Sequence, residues 1–101
     1  MAVREIRHPA ASELDLATIM RTVGDPVRLA IVRELADDRE RTCTALGDHV
    51  GLPPSTLSYH LRLLREAGVT HARAEGTERH ISLRRDDLDR LYPGLLEVIG
   101  A

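Results

Sequence analysis

Apolar side chains along this chain recur mostly three and four positions apart, the spacing of one face of an α-helix. Leu16, Ile19, Met20 and Val23 form the first such stripe, with Asp15 placed to cap it and Gly24 to end it. Asp25-Pro26 restarts a helix, because an Asp N-cap followed by proline at the first helical position is a strong start signal. This second helix is expected over residues 26–37, turning Val27, Ala30, Ile31 and Leu35 inward. Residues 37–41 are all charged and read as a connection. Thr42 or Thr44 caps a short third helix through Ala45, Leu46 and Val50, and Gly51-Leu52-Pro53-Pro54 makes a tight turn. A fourth helix is predicted over residues 54–67, stopped by Gly68 as a C′ glycine.

Beyond Gly68 the period changes. Residues 69–74 and 79–83 read as short strands joined through Glu75-Gly76-Thr77-Glu78, a hairpin with glycine at its tip. From Asp86, helical spacing returns through Leu88, Leu91, Tyr92, Leu95 and Ile99, interrupted at Pro93-Gly94 by a kink or a break into two short helices. Residues 1–12 contain Pro9 and no periodicity, and are expected to form a flexible arm ahead of a single domain over residues 13–101. The predicted order is α-α-α-α-β-β-α, mainly α with a small β-hairpin. A short helix, a glycine turn, a longer helix and a hairpin together define a winged helix-turn-helix.

With 101 residues, no Phe or Trp, and only Tyr59 and Tyr92 as aromatics, the core has to be built from aliphatic side chains. A domain of this size buries a small share of its surface, so association between copies would supply further buried area. The net charge of −2 gives no sign of a polyanion partner until it is divided along the chain. Residues 1–52 carry −2, residues 53–85 carry +3, and residues 86–101 carry −3. The positive surplus falls on the fourth helix and the hairpin. All fourteen basic residues are arginine, the side chain suited to bidentate phosphate and guanine contacts, although composition bias alone produces the same pattern.

On the fourth helix Leu57, Leu61 and Leu64 form the inward stripe. Ser55, Ser58, Tyr59 and Arg62 form a second stripe on the other side, with Thr56 beside it. Hydroxyls exchange hydrogen bonds with base edges and phosphates, arginine bridges guanine O6 and N7, and a tyrosine ring packs on a thymine methyl. The first turn holds no Asp or Glu, which leaves its free amides open to a phosphate. In the hairpin Arg73 and Arg79 flank the tip, and Arg84-Arg85 follow the second strand. Such a wing suits the phosphates or the minor groove, while Glu75 and Glu78 oppose that contact.

At these residues the sequence resembles the ArsR-type winged-helix regulators, over about residues 15–99. The resemblance rests on Gly24-Asp25-Pro26-Val27-Arg28-Leu29-Ala30-Ile31-Val32 and, more specifically, on Ser55-Thr56-Leu57-Ser58-Tyr59-His60-Leu61-Arg62-Leu63-Leu64 leading to Ala67-Gly68. It implies a homodimer on a double-stranded DNA operator, repressing until an unidentified effector, such as a small molecule, releases it; a cytoplasmic location is expected from the lack of an apolar span or an N-terminal h-region. It also implies an interface of terminal helices, to which Leu16, Ile19, Met20, Val23, Leu88, Leu91, Leu95 and Ile99 are assigned.

Metal sensing, common among relatives, does not fit the residues. Where arsenite and cadmium sensors carry Cys-x-Cys, this chain has Thr42-Cys43-Thr44, and a lone thiolate cannot form a multi-sulfur site. The last helix has no histidine, and His49 with Cys43 falls short of a closed zinc site. Neither metal nor cofactor is expected. Cys43 reads either as a small buried apolar residue or as a redox thiol beside Arg39 and Arg41. One cysteine excludes an intramolecular disulfide framework, and no apolar run approaches the ~18 residues of a membrane span. No nucleophile–base pair, phosphate loop or metal triad points to an enzyme. The alternative function is a winged-helix module that binds protein without specific DNA binding, which the acidic balance and the acidic wing tip favour.

Overall fold

The computed structural model describes residues 5–101, so the first four residues of the expected arm lie outside the described residues. The elements are α1 (Leu16–Val23), α2 (Pro26–Glu34), β1 (Arg41–Thr42), α3 (Cys43–Val50), α4 (Pro54–Glu66), β2 (Thr70–Glu75), β3 (Glu78–Leu83), α5 (Arg85–Leu91) and α6 (Leu95–Ile99). The helix starts follow the capping chemistry in the sequence. Asp15 accepts from the Thr18 N–H at 3.0 Å, and Asp25 accepts from the N–H groups of Val27 and Arg28 ahead of Pro26. Of the two candidate threonines, Thr42 caps α3 by accepting from the Ala45 N–H.

The core lies where α1, α2, α3 and α4 meet the inner face of the sheet. Ile19, Ile31, Val32, Leu35, Leu46, Leu57, Leu64, Val69, Leu88 and Leu96 are each 2% exposed or less. Burial of an aliphatic side chain of this size contributes roughly 1.5–3 kcal/mol. Ala30, expected inside, is exposed instead. Ile31, Val32 and Leu35 cluster on one side of α2, and Ala30 falls well round the helix from them. Helix α2 also stops at Glu34, three residues short of the expected end.

The sheet has three antiparallel strands in the order β1-β3-β2. Strand β1 was not expected; it places Arg41 opposite Ile81 and Thr42 opposite His80, where the sequence presents the end of a charged connection and a helix cap. Two residues carry no alternation, and their partner strand lies far along the chain. The hairpin registers Ala72 with Ile81 and Glu75 with Glu78, leaving Gly76-Thr77 as a two-residue loop. After β3 the expected last helix is two short ones, separated at Gly94, whose φ of 88° lies in the left-handed region.

Gly68 joins α4 to β2 and is constrained twice. Its φ is +83°, and the Gly68 N–H → Arg65 C=O and Val69 N–H → Leu64 C=O bonds close the helix in a Schellman turn. A Cβ built there would also come within 2.0 Å of Leu14 Cδ2. The described part of the arm, expected to be flexible, makes specific contacts. His8 Nε2 accepts from the Ala72 N–H on the outer edge of β2 at 3.0 Å, and its ring stacks on His71 with centroids 4.4 Å apart. Arg84 donates to the Pro9 carbonyl at 2.8 Å, and a short 3-10 turn at Ala11–Glu13 leads into α1.

Candidate nucleic-acid interface

Helix α4 is anchored by Leu57, Leu61 and Leu64, all buried, and it turns Ser55, Thr56, Ser58, Tyr59 and Arg62 outward as a continuous exposed face. Tyr59 is 51% exposed, and the Arg62 guanidinium sits 5.8 Å from its ring centroid. That distance lies within cation–π range and holds both side chains on one face. The helix starts at Pro53-Pro54 with no side-chain cap and no acidic residue in its first turn. Its first amides are free of the carboxylates that would otherwise occupy them. Behind this face Arg28 Nη1 donates to His60 Nδ1 at 3.2 Å, while Arg28 Nε donates to the Thr22 carbonyl at 2.6 Å. His60 is thus a structural pivot between α2 and α4, and since arginine only donates, its Nδ1 is the accepting nitrogen. Gly47 gives α3 its close approach to α4, because a Cβ there would lie 3.3 Å from Leu57 Cδ2.

The wing is built differently. Arg73 is exposed, but Glu40 takes its guanidinium in a two-pronged contact at 2.8–3.0 Å, with Glu75 adding a 3.5 Å contact. Hydrogen bonds from Arg73 hold the Glu40 carboxyl below its ordinary range. Arg79, by contrast, forms no ion pair among the described residues. Arg84 and Arg85 face inward: Arg84 pairs with Asp87, and Arg85 pairs with Asp38 and donates to the Ala36 carbonyl. Glu40 escaped the sequence reading because its partner lies 33 residues away. The surplus of arginine in this region therefore overstates the positive charge available to a ligand.

Cys43 is half-buried, and burial pushes its thiol pKa up, with Arg79 opposing the shift. That is the opposite of what a reactive thiolate needs. Among the described residues no group of three His, Cys, Asp or Glu side chains is placed to hold a metal ion. No described helix is long and apolar enough to cross a membrane.

A second surface lies on α1 and α6. Leu16 (41% exposed) and Met20 (57%) of α1 meet Val98 (83%) of α6 across a shallow apolar groove that includes Tyr92, Pro93 and Leu95. Of the side chains assigned to an interface, Leu16, Met20 and Leu95 line this groove. Ile19, Val23 and Leu88 do not: they are 5% exposed or less and belong to the protomer's own core. Leu91 and Ile99 are partly buried. Val98 lies outside the set chosen from the sequence because the helical count was carried across Pro93-Gly94, whereas the left-handed Gly94 resets the phase of α6.

A helical core in which α3, a glycine turn and α4 are followed by the β2–β3 hairpin is a winged helix-turn-helix domain. The helix-turn-helix domain family matches residues 23–71. The chain is 37% identical over 84 residues to the uncharacterized HTH-type transcriptional regulator YceK of Bacillus subtilis, covering 82% of this chain and 84% of that one. Among solved structures it is similar to the homodimeric winged helix-turn-helix DNA-binding domain Mb0332 of Mycobacterium bovis, a possible ArsR-family regulator. That match has 31% identity and a TM-score of 0.71 over 98% of this chain and 89% of that one. It is also similar to the transcriptional repressor BigR of Xylella fastidiosa, with 28% identity and a TM-score of 0.67 over 85% and 87% of the two chains. The chain belongs to the ArsR-type family of HTH transcriptional regulators.

Proposed function

We propose that this regulator is a cytoplasmic homodimeric repressor that reads a double-stranded operator through α4, with the wing on the neighbouring backbone. The observation that carries the reading is the α4 face: an exposed Ser55/Thr56/Ser58/Tyr59/Arg62 surface on a leucine-anchored helix whose first turn carries no carboxylate. Arg62 with Tyr59 supplies the base-reading pair, and the hydroxyls with the helix start supply phosphate contacts. Arg79 is the wing's open cation. Two copies joined through Leu16, Met20, Leu95 and Val98 would present two such helices to half-sites about one DNA turn, roughly 34 Å, apart. Release would come from an effector whose chemistry is not specified by metal-ligand clusters in the described residues.

The test is a fluorescence titration of the full chain on the duplex upstream of its own gene, with salt varied and a scrambled duplex as control. Binding that is tight, saturates at two protomers per site and falls steeply with salt is the expected result. Salt-indifferent binding to a protein, with no preference for any duplex, would establish the interaction-module reading instead.

A further inference from the structure

Where α4 meets the sheet, a small cavity of about 50 Å³ opens beside the α4 face. Leu61, Ala72 and Ile81 form its apolar wall, and Arg65 from α4, Arg79 from β3, Ser58, Thr70 and Cys43 supply its polar side. No carboxylate lines it. Arg65 Nε is buried without a hydrogen-bond partner, the one such side-chain atom among the described residues. Thr70 is 1% exposed, the one buried polar residue among the described residues. Buried donors on a charged group are costly to leave unmatched, and folded proteins supply an acceptor, a water or an ion. No described carboxylate pairs with Arg65 or Arg79.

The chemistry of the lining selects the occupant. Guanidinium N–H groups only donate, and hydroxyls and a protonated thiol can donate as well, so the missing component is an acceptor with several oxygens. Burial keeps the Cys43 thiol protonated, so no negative charge competes from the wall. The volume admits one small ion or a few waters and excludes a larger organic molecule. We propose that this junction binds a single tetrahedral oxyanion of the phosphate type, held between Arg65 and Arg79 with Ser58 and Thr70 as hydroxyl donors. The ion ties α4 to the wing. Its source is either free inorganic phosphate or a backbone phosphate of bound DNA; only the second source rests on the operator reading above.

The probe is inorganic phosphate, titrated into the full chain in chloride buffer at constant ionic strength, followed by amide chemical shifts and thermal unfolding. A free-ion site gives saturable shifts at Ser58, Thr70 and Arg79 and raises the melting temperature. Arg79→Gln, at an exposed position, weakens the affinity by about tenfold, the order of one charge-assisted contact. Arg65→Gln removes binding, whereas Arg39→Gln, on the exposed connection away from the cavity, leaves it unchanged. A DNA-phosphate site gives no saturation with the free ion. In that case Arg65→Gln, at a side chain the operator reading leaves unused, lowers the salt slope of duplex binding by about one. Phosphate saturation without duplex binding would sink the operator reading while leaving the oxyanion site standing. No saturation, with the salt slope unchanged in Arg65→Gln or with no duplex binding to measure, would overturn the oxyanion site. Should Arg65→Gln fail to fold, Thr70→Val takes its place: it weakens binding of the free ion or of the duplex, and no change in either overturns the site.

Discussion

The two regions that face a prospective DNA ligand, the outer side of α4 and the wing, have similar chemistry in sequence and different chemistry in space. On α4 the fold rests on Leu57, Leu61 and Leu64, so the polar side chains opposite them are left with nothing to do internally. In the wing the polar side chains are themselves the fastening: Glu40 holds Arg73, and Ala72 is held by His8. A cation already matched by a carboxylate offers a phosphate little, because the contact must first be exchanged. The difference teaches that a charge count locates a candidate surface, while the pairing of each charge decides whether it is available.

Gly68 is where the two regions join, so disturbing it should separate them most. In Gly68→Ala the methyl group has to adopt a φ of +83° and displace Leu14. Left-handed strain of about 1–2 kcal/mol and overpacking of about 1–3 kcal/mol act together. A loss near 3 kcal/mol, or roughly 10–20 °C in melting temperature for a domain of this size, is expected in calorimetry. A melting temperature unchanged from the parent would show that the helix–wing angle is not fixed by this glycine.

Next in size is the contrast between Arg62 and Arg79. Arg62→Ala should cost about 1–3 kcal/mol on the operator and relax discrimination at one base position, measured by competition against single-substitution duplexes. Arg79→Ala should weaken binding to all duplexes alike and lower the salt slope by about one. If Arg79→Ala proved selective for one position while Arg62→Ala acted uniformly, the two regions would have exchanged roles.

A smaller effect, of opposite sign, is expected from Glu40→Gln. It frees Arg73, so affinity for any duplex should rise by about two- to threefold at low salt, and the gain should vanish as salt screens it. Unchanged or weakened binding would mean that Arg73 does not face the ligand even when released.

Helices α1 to α4 were legible because each is marked twice, by an apolar stripe and by a cap at one end. Asp15, Asp25 and Gly68 all do in space what their positions imply. The α4 face was legible for the same reason, since a leucine stripe fixes the opposite side of a helix. The rest depends on pairs distant along the chain. Nothing near Arg73 announces Glu40, and nothing near Arg41 announces Ile81. The phase of α6 could be read only once Gly94 was known to be left-handed, which is why Ile99 was chosen and Val98 passed over. Ile19, Val23 and Leu88 illustrate a further limit: a stripe shows that a side chain is covered, not whether its own chain or a second copy covers it.

The smallest effect tests whether the His8 contact on the wing titrates apart from the leucine anchor of α4. His8 Nε2 must be unprotonated to accept from the Ala72 N–H. Burial lowers its pKa below the ordinary 6.5, and the nearby His71 of β2, Arg84 after β3 and Arg65 of α4 push it the same way. A base whose folded pKa is depressed takes up a proton more readily in the detached state. Stability from this contact is therefore complete above pH 6.5 and is lost as pH falls through 6.5 toward the lower folded value. Hydrogen exchange, corrected for its intrinsic pH dependence, should show the Ala72 amide losing protection on acidification while the amides of Leu61 and Leu64 keep theirs. His8→Gln, whose side-chain carbonyl accepts a hydrogen bond without titrating, should flatten the response. Equal loss of protection at Ala72 and Leu61 would mean that the domain loosens as one unit, removing the distinction between an apolar-anchored helix and a polar-fastened wing.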